Sequence, residues 1–178
     1  MTTFRLKIPT VDIEVSARPS VLNDPANYPG IVLHQPYAGL IRLAGMGLPG
    51  KTIETRKTRI TYRGPLVIIA SKRVPVDYET ARARERLRDR LGRDHLTEEE
   101  SVALWHFGGR AVALFDVNDC RALVPEDEPE AFFYEPARWA WCSSRIRPLR
   151  PFPVQGHQGF VRVPRAQVDA ALIGGHGP

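Results

Sequence analysis

Three residues in the first third of the chain, Lys51, Glu54 and Arg56, form the spacing K-x-x-E-x-R and bring together complementary chemistries. A lysine ammonium is a compact point charge suited to phosphate, and an arginine guanidinium is a planar fork suited to phosphate or to a base edge. The carboxylate between them can accept hydrogen bonds from an exocyclic base amine. The plainer reading pairs Glu54 with Arg56 or Lys51 across a solvated strand face. Lys51 also belongs to GMGLPGKT, Gly45 to Thr52, which satisfies the phosphate-loop pattern G-x-x-x-x-G-K-[ST], and VALFD ending at Asp116 resembles a metal-binding strand end. Such a loop works only between a strand and a helix whose N-terminus faces the phosphates. The residues after Lys51, TIETRKTRITY, favour a strand and those before it read as a helix, so a nucleotide kinase is the third-ranked reading.

Around the triplet, Tyr37 and Trp141 offer rings on which a base could stack, with core packing as the plainer role and the favoured one for Trp141. His34 and Gln35 precede Pro36 at the start of a helix, where His34 either lines a cleft or satisfies a backbone group. Arg63 closes the stretch 34 to 63, which is expected to build the cleft. The histidines and the two cysteines show no ligand-like spacing, so no metal and no cofactor are expected. Cys142 and His157 are a conceivable nucleophile pair, although a buried structural cysteine is far more common. RARERLRDRLGRDH, Arg82 to His95, carries six arginines against three acids. It either tracks a nucleic-acid backbone or is a solvated helix face with internal ion pairs.

The elements that must position these residues follow from periodicity. Apolar, β-branched runs at Ile31 to Leu33, Leu66 to Ala70 and Ala111 to Val117 predict buried strands. Thr52, Glu54 and Arg56 alternate with Ile53 and Thr55, so a strand there sends its polar residues to one face and Ile53 to the other. Trp139 to Ile146 and Phe160 to Val163 predict two more strands, joined through RPLRPFPVQGHQG, whose prolines suit an edge position or a long turn. PYAGLIRLAG predicts a helix with Pro36 in its first turn and Gly45 as a stop. Further helices are expected over residues 78 to 92, from the Thr97/Glu100 capping box to a stop before Gly108, and from Arg165 to Leu172. Without regular strand-helix alternation, this pattern predicts a small barrel-like α+β fold of five or six strands with peripheral helices.

At 178 residues the chain suits one domain, with residues 1–30 as an extension and 164–178 as a C-terminal helix and tail. Two cysteines do not make a disulfide framework, and neither a signal peptide nor an apolar membrane span is legible, so a reducing, cytoplasmic setting is expected. A formal charge of +5 and a pI near 9.6 favour an anionic partner.

Taken in order, HQPYAGLI, GKTIETR, YRGPLVIIAS, AVALFDVNDC and IRPLRPFPVQGHQGFVRV resemble the ASCH domain family from Ile31 to Val163. The resemblance implies a β-barrel related to the PUA fold of RNA-modifying proteins, with the K-x-x-E-x-R residues on a cleft floor. It also implies rim positions at Ser71 and Lys72. The chain departs from the family by inserting MGLPG before Lys51 and by a charged insert at about 72–108. The expected partner is RNA, another single-stranded nucleic acid, or a nucleotide or nucleoside. The alternative is a hydrolase acting on a modified nucleoside or on RNA, with Lys51 as activated base and Glu54 beside it, although the amidohydrolase relatives carry Thr at that position.

Overall fold

Buried β-branched runs form the centre of one sheet in the computed structural model, which describes residues 19–73 and 78–173. Most of the expected N-terminal extension, and the tail beyond Ile173 with His176, lie outside the described residues. In chain order the elements are α1 (Pro19–Leu22), β1 (Asn27–Leu33), α2 (Tyr37–Gly45), β2 (Ile53–Arg56), β3 (Gly64–Ala70), α3 (Tyr78–Leu91) and α4 (Glu98–Trp105). There follow β4 (Arg110–Ala122), a 3-10 turn (Pro125–Asp127), α5 (Glu128–Ala131), β5 (Trp139–Pro153), β6 (Phe160–Pro164) and α6 (Arg165–Ala171). The strands make a six-stranded mixed sheet in the order β2-β5-β4-β3-β1-β6, and the chain is an α+β protein. Among the described residues, no helix is long and apolar enough to cross a membrane.

Strands β3 and β4 are apolar on both faces because both faces are covered. Leu66, Ile68 and Phe115 pack with Ala38 and Ile41 of α2, whereas Val67, Ile69 and Leu114 pack with Val168 and Ala171 of α6. Helix α2 lies so close to α4 that a Cβ on Gly39 would stand 2.5 Å from Leu104 Cα. Its Arg42 is buried, and Nη1 donates to Leu149 O and, at 3.1 Å, to Val112 O. Val112 is the extra residue where β4 bulges against β3, between Ala111 and Ala113, so the arginine bonds a carbonyl at the break in the ladder.

The sheet is not closed into a barrel, since β2 and β6 stand at its two edges. It is nevertheless strongly curled. Trp141 of β5 and Phe160 of β6 lie four ladder steps apart, about 19 Å across a flat sheet. Their ring centroids are 6.3 Å apart, with planes inclined by 4°.

Strands β1, β4 and β5 run longer than the sequence pattern predicts, and prolines explain the differences at β1 and β5. β1 begins at Asn27 because Pro29 falls where β1 pairs only with β6; pairing with β3 starts at Gly30. β5 continues through Pro148, Pro151 and Pro153 because β2 covers only Trp139 to Cys142, leaving the later half paired with β4 and otherwise joined only to Leu172 and Ile173 beyond α6. Proline is tolerated on such an edge.

Candidate functional site

The loop that matches the phosphate-binding pattern is a helix ending. Gly47 adopts φ +77°, and the Leu48 amide donates to Leu43 O while the Gly47 amide donates to Ala44 O, both at 3.1 Å. These two bonds are the Schellman helix ending, whose left-handed position glycine favours. Gly50 is required by packing, since a Cβ there would lie 2.3 Å from Leu40 O. Lys51 then leads into β2 and not into a helix, so no helix N-terminus stands behind the loop to receive a phosphate.

In β2, Ile53 opposes Cys142, Glu54 opposes Trp141 and Arg56 opposes Trp139. Residues paired across a ladder share a face, and neighbours along a strand take opposite faces. Ile53 accordingly packs with Leu123, Ala131 and Ala140, while Glu54 and Arg56 share the tryptophan side.

On that side the polar residues form a continuous chain of contacts. Lys51 Nζ lies 5.3 Å from the centroid of the Tyr37 ring, donates to Ala131 O at 2.5 Å, and stands 3.6 Å from Glu54 Oε2. Glu54 Oε1 is 2.9 Å from Arg56 Nε, and the Arg56 guanidinium carbon is 5.7 Å from the centroid of the Trp141 ring. Trp141 is fixed in turn by Phe160 and by donation from its indole nitrogen to Thr58 O at 3.1 Å. Glu54 is 6 % exposed, so its carboxylate is buried and does not lie on a solvated strand face, while of its two partners Lys51 is buried and Arg56 is 34 % exposed. Lys51 is 1 % exposed, and burial pushes its ammonium down to about 8, partly opposed by Glu54.

Three donors here are buried and lack a hydrogen-bond partner among the described residues: Arg56 Nε, which meets Glu54 as an ion pair and not as an aligned hydrogen bond, Arg56 Nη2, and Gln35 Nε2 just before α2. Gln35 is held by its other amide atom, since Oε1 accepts from the Gly39 amide at 3.2 Å.

The remaining predicted site residues stand apart. His34 and Lys72 are exposed. Arg63 is exposed and bonded to Ile60 O and Tyr62 O in its own loop, with Asp119 3.6 Å away. The Ser71 hydroxyl accepts from the Arg73 amide. No hydrogen bond or ion pair among the described residues joins these four to the Lys51–Arg56 chain. The Cys142 thiol donates to Ala140 O at 3.9 Å and is raised by burial, whereas His157 is exposed with Nδ1 2.9 Å from Gln158 O; no hydrogen bond joins them. Among the described residues no group of three or more His, Cys, Asp or Glu could hold a metal ion.

The arginine run makes ion pairs across to another element. Arg82 and Arg86 pair with Glu128, and Arg90 pairs with Glu130, while Arg90 also donates to Pro129 O and Gly50 O. A cavity of about 150 Å³ lies beside these pairs and Tyr37. Helix α3 thus clamps α5, whose Ala131 carbonyl receives Lys51. The acidic stretch PEDEPEA was the available sequence signal for this docking, since its charges complement those of the arginines. Trp139 and Arg59 also escaped sequence reasoning. The Arg59 guanidinium carbon lies 5.4 Å from the centroid of the Trp139 ring, a pairing that the W-x-W alternation alone does not reveal. No protein-family model matches this chain, and no curated protein matches it.

Proposed function

We propose that the chain binds single-stranded nucleic acid, RNA in the first place, or a nucleotide, beside the Lys51–Glu54–Arg56 chain. The proposal includes membership of the PUA-like ASCH family, whose motifs the sequence resembles, and a cytoplasmic setting in keeping with two free thiols. The observation that carries the reading is the state of Arg56. Its guanidinium is ion-paired to Glu54 and placed over Trp141, its side chain is 34 % exposed, and Nε and Nη2 are buried without an aligned hydrogen bond. A planar donor fork, fixed and incompletely satisfied, suits a base edge or a phosphate. Glu54 has a different role from the one its sequence position implies, because its oxygens are engaged by Lys51 and Arg56 as ion pairs.

Replacing Arg56 by Ala is expected to weaken binding of a labelled single-stranded RNA by about 1–3 kcal/mol, with Arg56→Lys failing to restore it because a point charge lacks the fork. Fluorescence anisotropy at fixed salt measures this. Equal affinity in parent and variant would remove Arg56 from the site. Hydrolysis with Lys51 as base is the second reading, favoured by the burial that brings its ammonium down to about 8. Against it stands the commitment of Nζ to Ala131 O and Glu54 in a side chain that is 1 % exposed.

A further inference from the structure

Arg56 and Arg59 share an arrangement: each guanidinium lies over a tryptophan of β5, Arg56 over Trp141 and Arg59 over Trp139. The two rings alternate along one strand and therefore share a face, about 6.7 Å apart along the chain direction. Trp141 is 4 % exposed, so it backs its arginine and does not itself receive a ligand. Arg59 is exposed and Trp139 half-buried, and the exposed Lys57 adds a third positive charge. Guanidinium planes stack on bases as aromatic rings do. A stacked strand advances only about 3.4 Å per nucleotide, so platforms at roughly twice that spacing fit bases that are splayed out and not stacked on each other.

We infer that the two tryptophan-backed arginines are successive base-stacking platforms, so that the site takes at least two unstacked nucleotides of one single strand. This rests on the proposed binding site at Arg56 and adds a second position at Arg59, with the polymer and not the free nucleotide as the preferred ligand. The positive charge of Lys57 and Arg59 complements the backbone that joins the two bases.

The test is competition of unlabelled uridine monophosphate and oligouridylates of increasing length against a labelled oligouridylate, on the parent, Arg59→Ala and Arg59→Lys. The parent is expected to gain about tenfold in affinity once the second nucleotide is present, beyond the gain from added charge. Arg59→Ala should lose that gain while binding the mononucleotide as the parent does. Arg59→Lys should keep the salt dependence of the parent without recovering the gain. The same length gain in Arg59→Ala as in the parent, or an equal loss at every length, overturns the second platform. A parent that binds the mononucleotide as tightly as the oligomers overturns it too and leaves the proposed function standing. A parent that binds neither removes both. Displacement by polyglutamate as effective as by oligouridylate would reduce the patch to charge alone and overturn the inference. Because Arg59 is exposed, a thermal melt suffices to confirm that its variants are folded.

Discussion

Glu54→Ala is expected to destabilise the fold by about 3–5 kcal/mol, the cost of stranding a buried charge whose partner has been removed. Lys51 and Arg56 both contact this carboxylate, and it is 6 % exposed. Without it the Lys51 ammonium retains the Ala131 carbonyl and the Tyr37 ring but no counter-charge among its described contacts. Urea unfolding should show a lower midpoint with an unchanged slope, the mark of a stability change. A loss below about 1 kcal/mol would place Glu54 in the class of exposed pairs and contradict its burial. The consequence for binding work is direct. A Glu54→Ala protein that fails to bind RNA reports on folding before it reports on recognition, which is why Arg56, one third exposed, is the variant that speaks to the site.

Stability should also depend on Lys51 through pH. Its ordinary value of 10.5 is lowered to about 8 in the folded chain, chiefly by burial. Between those two values the unfolded chain holds the proton and the folded chain has released it. The unfolded state therefore binds more protons, and the contribution of Lys51 to stability rises as pH is raised through that window. Complete deprotonation relieves about 3 kcal/mol of the cost of burying the ammonium. Tyr62, raised to about 12, and Cys142, also raised by burial, work in the opposite sense, because each keeps its proton in the folded state after the unfolded chain has lost it. The measured quantity is therefore the difference between parent and Lys51→Met in urea unfolding at pH 7.5 to 10.5. A difference that moves in favour of the parent by about 2–3 kcal/mol across this range is expected. A flat difference would show that Lys51 keeps its proton in the folded state up to its ordinary range.

Local pattern carried the central elements of the fold. The apolar runs of β3 and β4, the helix opened by Pro36, and the Thr97/Glu100 capping box are each encoded within a few residues, and each forms. Strand ends were less legible where proline intervened, because tolerance of Pro29 or Pro148 depends on whether a neighbouring strand is present on that side, and sequence does not display neighbours. The curl of the sheet is equally non-local, resting on a contact between Trp141 and Phe160. In the candidate site, strand alternation explains why Glu54 and Arg56 share a face with the tryptophans. It does not reveal that α5 covers Lys51, that Glu54 is sealed between two cations, or that the arginines of α3 engage Glu128 and Glu130.

The central claim is that ligand engages the Arg56 fork, and side-chain NMR reads that atom group directly. Nitrogen-15 spectra of the parent, titrated with a short single-stranded oligouridylate, resolve the Arg56 Nε–H, the Gln35 side-chain amide and the Trp141 indole N–H. These resonances are expected to shift together in a saturable way, with the Arg56 signal moving most, while the signals of Arg82 and Arg86, paired with Glu128, remain in place. Saturable shifts confined to α3, or none at Arg56 while the oligonucleotide demonstrably binds, would contradict the account and put the nucleic-acid site elsewhere on the molecule.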